Sequence, residues 1–368
     1  YYTVDGTTPT TSSYKYTAPF VVNRNLAIRS IAVKGDEVSS VQSRDVSVDS
    51  RAQVGTLFYR KVDNTLDNVV EVCSPLTGSY EGDIIIQPSI TLANVTYQVT
   101  RIGNGAFYNN KNITSVTIPN TVTTIGNQAF YSCDNLTSIS LPQSVKKIEY
   151  NAFRECSNLK SITLNNGLET IGYGVFYNCR RLQNVTLPST LKTIGYDAFE
   201  YCTSFTRMEL PDGLTDIGHS LFEDCSNLAS VKLPATMTAI PEHMFWASGI
   251  KSIDIPSTVK SIGENAFRNC DALTSIVIPD GVESLGNLVF YDCNNLLSAT
   301  IGEGVTTIPS SAFDDDYALS VVSLPSTLTA IGERAFNTCR SLTSITIPEN
   351  VTSIARYAFT ECDKLTSI

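Results

Sequence analysis

Histidine is almost missing from this chain: His219 and His243 are the two in 368 residues. Zinc sites take three or four ligands, so two histidines without a readable third partner assign no metal centre. Tryptophan occurs once and methionine three times. Charge is thin, at 17% of residues, and it leans acidic: 36 Asp and Glu against 26 Lys and Arg, a formal net charge of −10. With no basic stripe to displace phosphate counterions, nucleic acid is disfavoured as a partner. Electrostatic docking on an anionic membrane is disfavoured for the same reason. No apolar run approaches the roughly 18 residues of a membrane-spanning helix. No G-x-S-x-G, H-E-x-x-H or Walker glycine loop occurs. Scattered carboxylates single out no acid–base pair. The residues therefore spell out no reaction and no cofactor, and a non-enzymatic role is expected.

What is present is repetition. A phenylalanine recurs at Phe107, Phe130, Phe153, Phe176, Phe199, Phe222, Phe245, Phe267, Phe290, Phe313, Phe336 and Phe359, every 23 residues except for one interval of 22, Phe245 to Phe267. A fixed period of this size predicts stacked coils, each burying its apolar side only against its neighbours. Cysteine follows the Phe by three residues, as in Cys133, Cys156 and Cys179, and Leu by six, as in Leu136 and Leu159. Nine and eleven residues after the Phe come apolar pairs such as Ile139/Leu141 and Val231/Leu233. A spacing of two is a strand's, so both members point inward and the residue between them points out. Proline usually follows and ends the strand. Val122 or Leu191, then Ile125 or Ile194 with a Gly after it, close the unit. The segment around Ala129-Phe130 has no alternation and predicts a turn or two of α or 3₁₀ helix.

This pattern resembles the BspA-type leucine-rich repeats of bacterial surface proteins. The matching residues are Ala266-Phe267 to Cys270, Leu273, Ile276 to Pro279, and Val282 to Gly286, with twelve copies over residues 101–368. The resemblance implies an α/β solenoid: a right-handed coil with a parallel sheet on its concave side and short α or 3₁₀ segments. It also implies a secreted or surface-displayed bacterial protein of the adhesin kind, binding host or other extracellular proteins.

Two further pieces precede the repeat. Residues 1–48 carry turn chemistry in Asp5-Gly6-Thr7-Thr8-Pro9 and alternation in Leu26–Lys34. With Tyr16-Thr17-Ala18-Pro19 they resemble part of the small β-sandwich at the C-terminus of chitobiase and hexosaminidase-type proteins, an accessory module there. Residues 49–100 predict a β-rich cap over the first coil, with strands at 54–62 and 69–72 around a turn at 64–68. The chain opens on Tyr1-Tyr2 and stops at Ile368 inside a repeat. A longer parent protein is therefore expected.

Ten cysteines invite a disulfide reading. Nine share one slot, where their Cβ vectors run parallel in neighbouring coils, so free buried thiols are expected, with disulfides or a metal site as the alternatives. Asp314-Asp315-Asp316 lacks the spacing of a calcium loop and predicts a solvated acidic turn. The outward strand positions are mostly hydroxyls, but Arg207, Glu209, Lys232, Lys251 and Asp254 interrupt them. This charged stretch is the candidate partner-binding patch, because interfaces favour a few strong anchors over uniform chemistry. Mutually paired surface charges are the alternative. Tyr150, Tyr173 and Tyr196 hold one slot in consecutive coils, and Trp246 shares another with Tyr131 and Tyr177. These rings are candidates for stacking on sugar, or for covering the coil edge. An extracellular protein is thus the first partner class and a glycan the second, the latter as a carbohydrate-binding accessory of a polysaccharide-processing system.

Overall fold

The computed structural model describes residues 1–19, 26–46, 51–62 and 68–368. Each coil is taken to start at the Gly slot after its closing Ile. Coil 2 is then residues 126–148, coil 7 is residues 241–262, and the rest follow in register. The chain is a β-solenoid behind a small β region.

Two parallel ladders run along the stack. The first joins the serine-rich strands, as in Ser138–Ser140 with Ser161–Thr163 and Ser275–Val277 with Ser298–Thr300 and Val321–Ser323. The second joins two-residue strands at the close of each coil: Thr124–Ile125, Lys147–Ile148, Thr170–Ile171 and onward. The residue after the closing Ile extends the second ladder, Gly218 N–H donating to Ile194 O at 2.8 Å. Glycine suits this slot because a Cβ on Gly218 would lie 2.1 Å from the Tyr196 nitrogen.

The phenylalanines form the core's central column. Phe107 to Phe336 are fully buried and Phe359 partly so. Adjacent rings lie nearly parallel, with centroids 5.0 Å apart for Phe107–Phe130 and 5.3 Å for Phe313–Phe336. Burying each contributes about 1.5–3 kcal/mol, shared between neighbouring coils because no coil closes its own core.

The expected α or 3₁₀ turn is not formed; among the described residues there is no helix. Around each Phe the backbone is a chain of tight turns. The residues two before and two after it are left-handed, as in Gln128 (φ 53) and Ser132 (φ 55). A left-handed residue every fourth position prevents a right-handed helix. The hydrogen bonding then alternates. Gln128, Phe130 and Ser132 donate to Tyr150, Ala152 and Arg154 of the next coil at 2.7–3.0 Å. The intervening Ala129, Tyr131 and Cys133 donate back within their own coil, to Gly126, Gln128 and Phe130 at 3.2–3.3 Å. Stacking wins because these N–H groups find partners without helix, and identical coils supply the acceptors.

The cysteine slot extends this logic. The nine cysteines of this slot are free thiols. The Cys133 thiol donates to Phe107 O of the preceding coil at 3.0 Å, and Cys156, Cys179 and Cys202 repeat the contact at 3.0–3.2 Å. Burial pushes the Cys133 thiol up to about 12, so these sulfurs stay protonated and inert.

At the N-terminal end, Tyr2–Thr3, Leu26–Ser30 and Gln42–Val46 form a three-stranded antiparallel sheet. The stretch 54–62 is not the single strand expected. It reverses at Gly55 (φ 61), pairing Ala52–Val54 with Leu57–Lys61. The latter strand pairs antiparallel with Val69–Cys73, which runs parallel to Val95–Ile102 and so leads into the second ladder. The turn expected at 64–68 falls largely outside the described residues.

The acidic triplet also departs from expectation. Asp316, in the cysteine slot of coil 10, is fully buried, and Asp314 is buried as well. One Asp316 oxygen accepts the Cys293 N–H at 2.7 Å, and Oδ2 has no partner. Burial, then nearby carboxylates, push this acid well above the usual carboxylate range. Asp314 is held by Ser311 and Asn337. Read as a run, three aspartates predict solvent; read by slot, the third must point inward.

Candidate functional site

The serine-rich ladder faces outward with alternate residues, and it loses its regularity in coils 4 to 7. Residues 184–186 and 252–254 carry no strand, whereas Arg207–Glu209 and Ser230–Lys232 between them pair normally. Two causes are visible. Asn184 Oδ1 accepts the N–H groups of Thr206 and Arg207, each at 3.4 Å, so a side chain competes for donors of the neighbouring coil. Coil 7 is one residue short, and Gly249 N–H is drawn to Cys225 O at 3.1 Å.

An open depression of about 1130 Å³ lies over this stretch, and Arg207, Glu209, Lys232 and Asp254 are among its walls. A second, of about 690 Å³, adjoins it at Asn184 and carries Lys251 and Gly249. The five residues singled out by sequence therefore lie on one face of three successive coils, 5 to 7. Their charges are not equivalent. Lys232 pairs with Glu209, both well exposed, and an exposed pair of this kind adds little to stability. Arg207, Lys251 and Asp254 form no ion pair among the described residues.

The aromatic stripe lies on the turn edge beside the phenylalanines. Tyr173 and Tyr196 have centroids 4.4 Å apart, and Tyr196 stacks on His219 at 4.8 Å. Tyr150 is 46% exposed. Trp246 meets His243 edge-on at 5.0 Å and lies under the Arg268 guanidinium at 4.8 Å. Arg268 also covers Tyr291 at 4.7 Å, and Arg154 covers Tyr177 at 3.6 Å. Most ring faces on this edge are thus taken by another ring or a guanidinium.

The same edge holds a group that sequence reading missed. Glu200 and Glu223 occupy the slot after the Phe in coils 5 and 6, with Asp197 and Asp224 nearby. Burial, then Asp197, Glu223 and Asp224, push Glu200 up to about 8. Asp197 is raised by burial, against the opposing pull of His219, whose Nδ1 lies 3.8 Å from it. Writing the repeats in register would have shown the two glutamates one above the other. Among the described residues, no group of three or more His, Cys, Asp or Glu side chains is placed to hold a metal ion. Among them, too, no helix is long and apolar enough to cross a membrane.

The family model for the BspA type leucine rich repeat region matches residues 87–206, 192–320 and 306–368. The chain belongs to the BspA-type leucine-rich-repeat family. Residues 1–46 match the model described as Fn3 associated. Among solved structures, a leucine rich cell surface protein from Faecalibacterium prausnitzii is 27% identical over 88% of this chain and 95% of its own, with a TM-score of 0.53. A leucine-rich repeat protein from Bacteroides ovatus is 26% identical over 88% of both chains, with a TM-score of 0.58. No curated protein matches. In BspA-type terms, the period, the Phe column and the Cys slot are the scaffold.

Proposed function

We propose that this BspA-type chain is a non-catalytic, protein-binding scaffold displayed outside a bacterial cell. It is adhesin-like and takes a host or other extracellular protein on the face of coils 4 to 7. The supporting observation is the coincidence of the depression with the one stretch where Arg207, Glu209, Lys232, Lys251 and Asp254 replace hydroxyls. Hydroxyl ladders present the same chemistry at every rung and discriminate little. Isolated charges beside a recess supply anchors. The Faecalibacterium protein's description as a cell surface protein supports the compartment.

The second reading, a carbohydrate-binding accessory, draws on the row Tyr150, Tyr173 and Tyr196. A sugar ring needs an open aromatic face, and Tyr173, Tyr196 and Trp246 already have ring or guanidinium neighbours. This favours the coil-cover role.

The test is a panel of extracellular-matrix proteins run beside a glycan array. The wild-type chain is compared with a variant carrying serine at all five charged positions. Binding to a matrix protein that the variant loses supports the scaffold reading. Binding confined to glycans, or unchanged in the variant, contradicts it.

A further inference from the structure

Coil 7 leaves one segment of the outward face without strand partners. Residues 252–254 pair with neither neighbour, although their sequence is that of a rung: Ile253 and Ile255 form the apolar pair and Pro256 follows. The strand edges on either side of them are open. Among the described residues, Ser230–Lys232 pairs only with Arg207–Glu209, and Ser275–Val277 only with Ser298–Thr300. Residues 252–256 are nonetheless fixed at both ends. Lys251 N–H donates to Ala229 O at 3.1 Å, and Ser261–Ile262 pairs in the closing ladder with Ala239–Ile240 and Ser284–Leu285. The segment is therefore a strap.

The missing residue explains why the strap stands out of the ladder. Ser230 follows Cys225 by five residues and Ser275 follows Cys270 by five, but Ser252 follows Ser248 by four. This short lead-in leaves Ile253 and Ile255 only partly buried, whereas Val231/Leu233 and Ile276/Ile278 are buried. Residues 184–186 also lack strand partners, but Val185 and Leu187 stay buried there and Asn184 is tied to coil 5. The core beneath the strap is built to yield. The chain's three methionines, Met208, Met237 and Met244, are buried one each in coils 5, 6 and 7, and methionine adapts to irregular gaps. The Phe column is widest here, with centroids 5.9 Å apart for Phe199–Phe222 and for Phe222–Phe245 against 5.0–5.7 Å elsewhere. The turn edge stays joined, Phe222 and Asp224 donating to Met244 and Trp246 at 2.9 and 2.8 Å.

We infer that residues 252–256 are a movable strap, exchanging between the lifted position and a place in the ladder beside Ser230–Lys232, and that this movement opens and closes the charged recess. This rests on the protein-binding reading above and adds the regulation of its site. The strap is itself a wall of the recess: Ile253, Asp254 and Pro256 line it together with Val231 and Lys232. Entry into the ladder gives the open edge of Ser230–Lys232 its missing partners and buries Ile253 and Ile255. In register, Asp254 falls beside Lys232, which already pairs with Glu209. The row Glu209–Lys232–Asp254 then alternates in sign, which favours pairing across strands. The short lead-in opposes entry. Gain and opposition act on the same segment, and that makes it a two-state element. A partner seated in the recess selects the lifted state.

The experiment places spin labels on Ser230→Cys/Ser252→Cys in the full chain, with Cys362→Ser to remove the partly buried native thiol. Ser138→Cys/Ser161→Cys, aligned in a paired ladder, is the ruler for adjacent rungs. A second chain carries one asparagine inserted after Gly249, which restores the length of the other coils. The chain of natural length is expected to give two label separations, one equal to the ruler's and one longer. The longer one should gain population as salt screens the Glu209–Lys232–Asp254 row. The lengthened chain should give the ruler's separation alone. It should also bind about tenfold more weakly to the matrix protein that the wild type captures from the panel. A single separation in the chain of natural length overturns the strap, whether or not the lengthened chain folds. Two separations in a folded lengthened chain overturn the missing residue as its cause. A lengthened chain that is closed yet binds as the wild type does overturns the gating, while the scaffold reading stands. Capture of no panel protein contradicts the scaffold reading alone, and the label separations still decide the strap.

Discussion

From Ile102 to Ile217 the ladder that closes each coil runs through six rungs without a break; beyond Ile217 it is cut twice, before Ala239–Ile240 and before Thr307–Ile308. Each cut coincides with a proline in the Gly slot, Pro241 and Pro309. Where Gly218 donates to Ile194 O and Ala355 to Ile331 O, a proline has no N–H to give Ile217 O or Leu285 O. Ile217 and Leu285, at the cuts, are only partly buried, while Ile171 and Ile194 are fully so. One repeat thus yields two kinds of stack. The first is uniform and cohesive along its closing ladder, with an outward hydroxyl face that gives way only at Asn184, Arg207 and Glu209. The second is segmented, and it holds the short coil, the buried Asp316, and much of the charged outward face. The difference shows that the Phe column maintains the solenoid while the ladders tolerate loss.

The largest effect should come from that column. Phe199→Ala, at the end of the uniform stack, is expected to cost about 3–5 kcal/mol in a urea melt and to uncouple the two stacks into separate transitions. Phe359→Ala, at a partly buried terminal rung, should cost far less. Equal losses at the two sites would mean the column is not cooperative.

Asp316→Cys should strengthen the segmented stack by about 1–3 kcal/mol at neutral pH, by removing a buried, half-satisfied carboxyl. The acid's folded pKa is raised well above its unfolded value. Below about pH 4 both states are protonated and the variant gains little from this source. As pH rises through the unfolded pKa, the unfolded chain ionises and the wild type loses stability. The gap in melting temperature should therefore widen from acid to neutral pH. A constant gap would place a charged Asp316 in the fold.

A smaller gain, about 0.5–1.5 kcal/mol, is expected from Pro241→Ala, which restores one rung bond. Hydrogen exchange should show the new amide protected. An amide exchanging as fast as one in an open loop would show that the cut has another cause. The smallest change is chemical. Alkylation of the native protein should reach Cys362 first, since it is only partly buried, and leave the fully buried thiols unlabelled. Unfolding without reductant should label all ten. Fewer than ten would reveal a disulfide.

Much of this was legible in the residues because stacking turns a period into a contact. The Phe column, the inward pair Ile139/Leu141 and the inward cysteines follow from slot alone. The tight turns did not show, because their left-handed slots mix turn formers such as Gly105, Asn151 and Asp197 with Gln128, His243 and Leu288, so the turn residues form no regular series. The second ladder escaped notice because its strands are two residues long. Pro241 was visible as an irregularity, but its consequence needs the partner carbonyl. At the charged face the residues could be picked out from sequence. The recess beneath them could not, because it arises from strand pairing lost at residues 184–186 and 252–254.

The most direct test of the claim that the irregular coils are the recognition face is hydrogen exchange on the full chain, alone and with the matrix protein it captures from the panel. Slowed exchange should appear at residues 183–187, 207–211, 230–233 and 251–256. Slowing confined to the hydroxyl face of coils 1 to 3, or to the tyrosine edge at 150, 173 and 196, would contradict it.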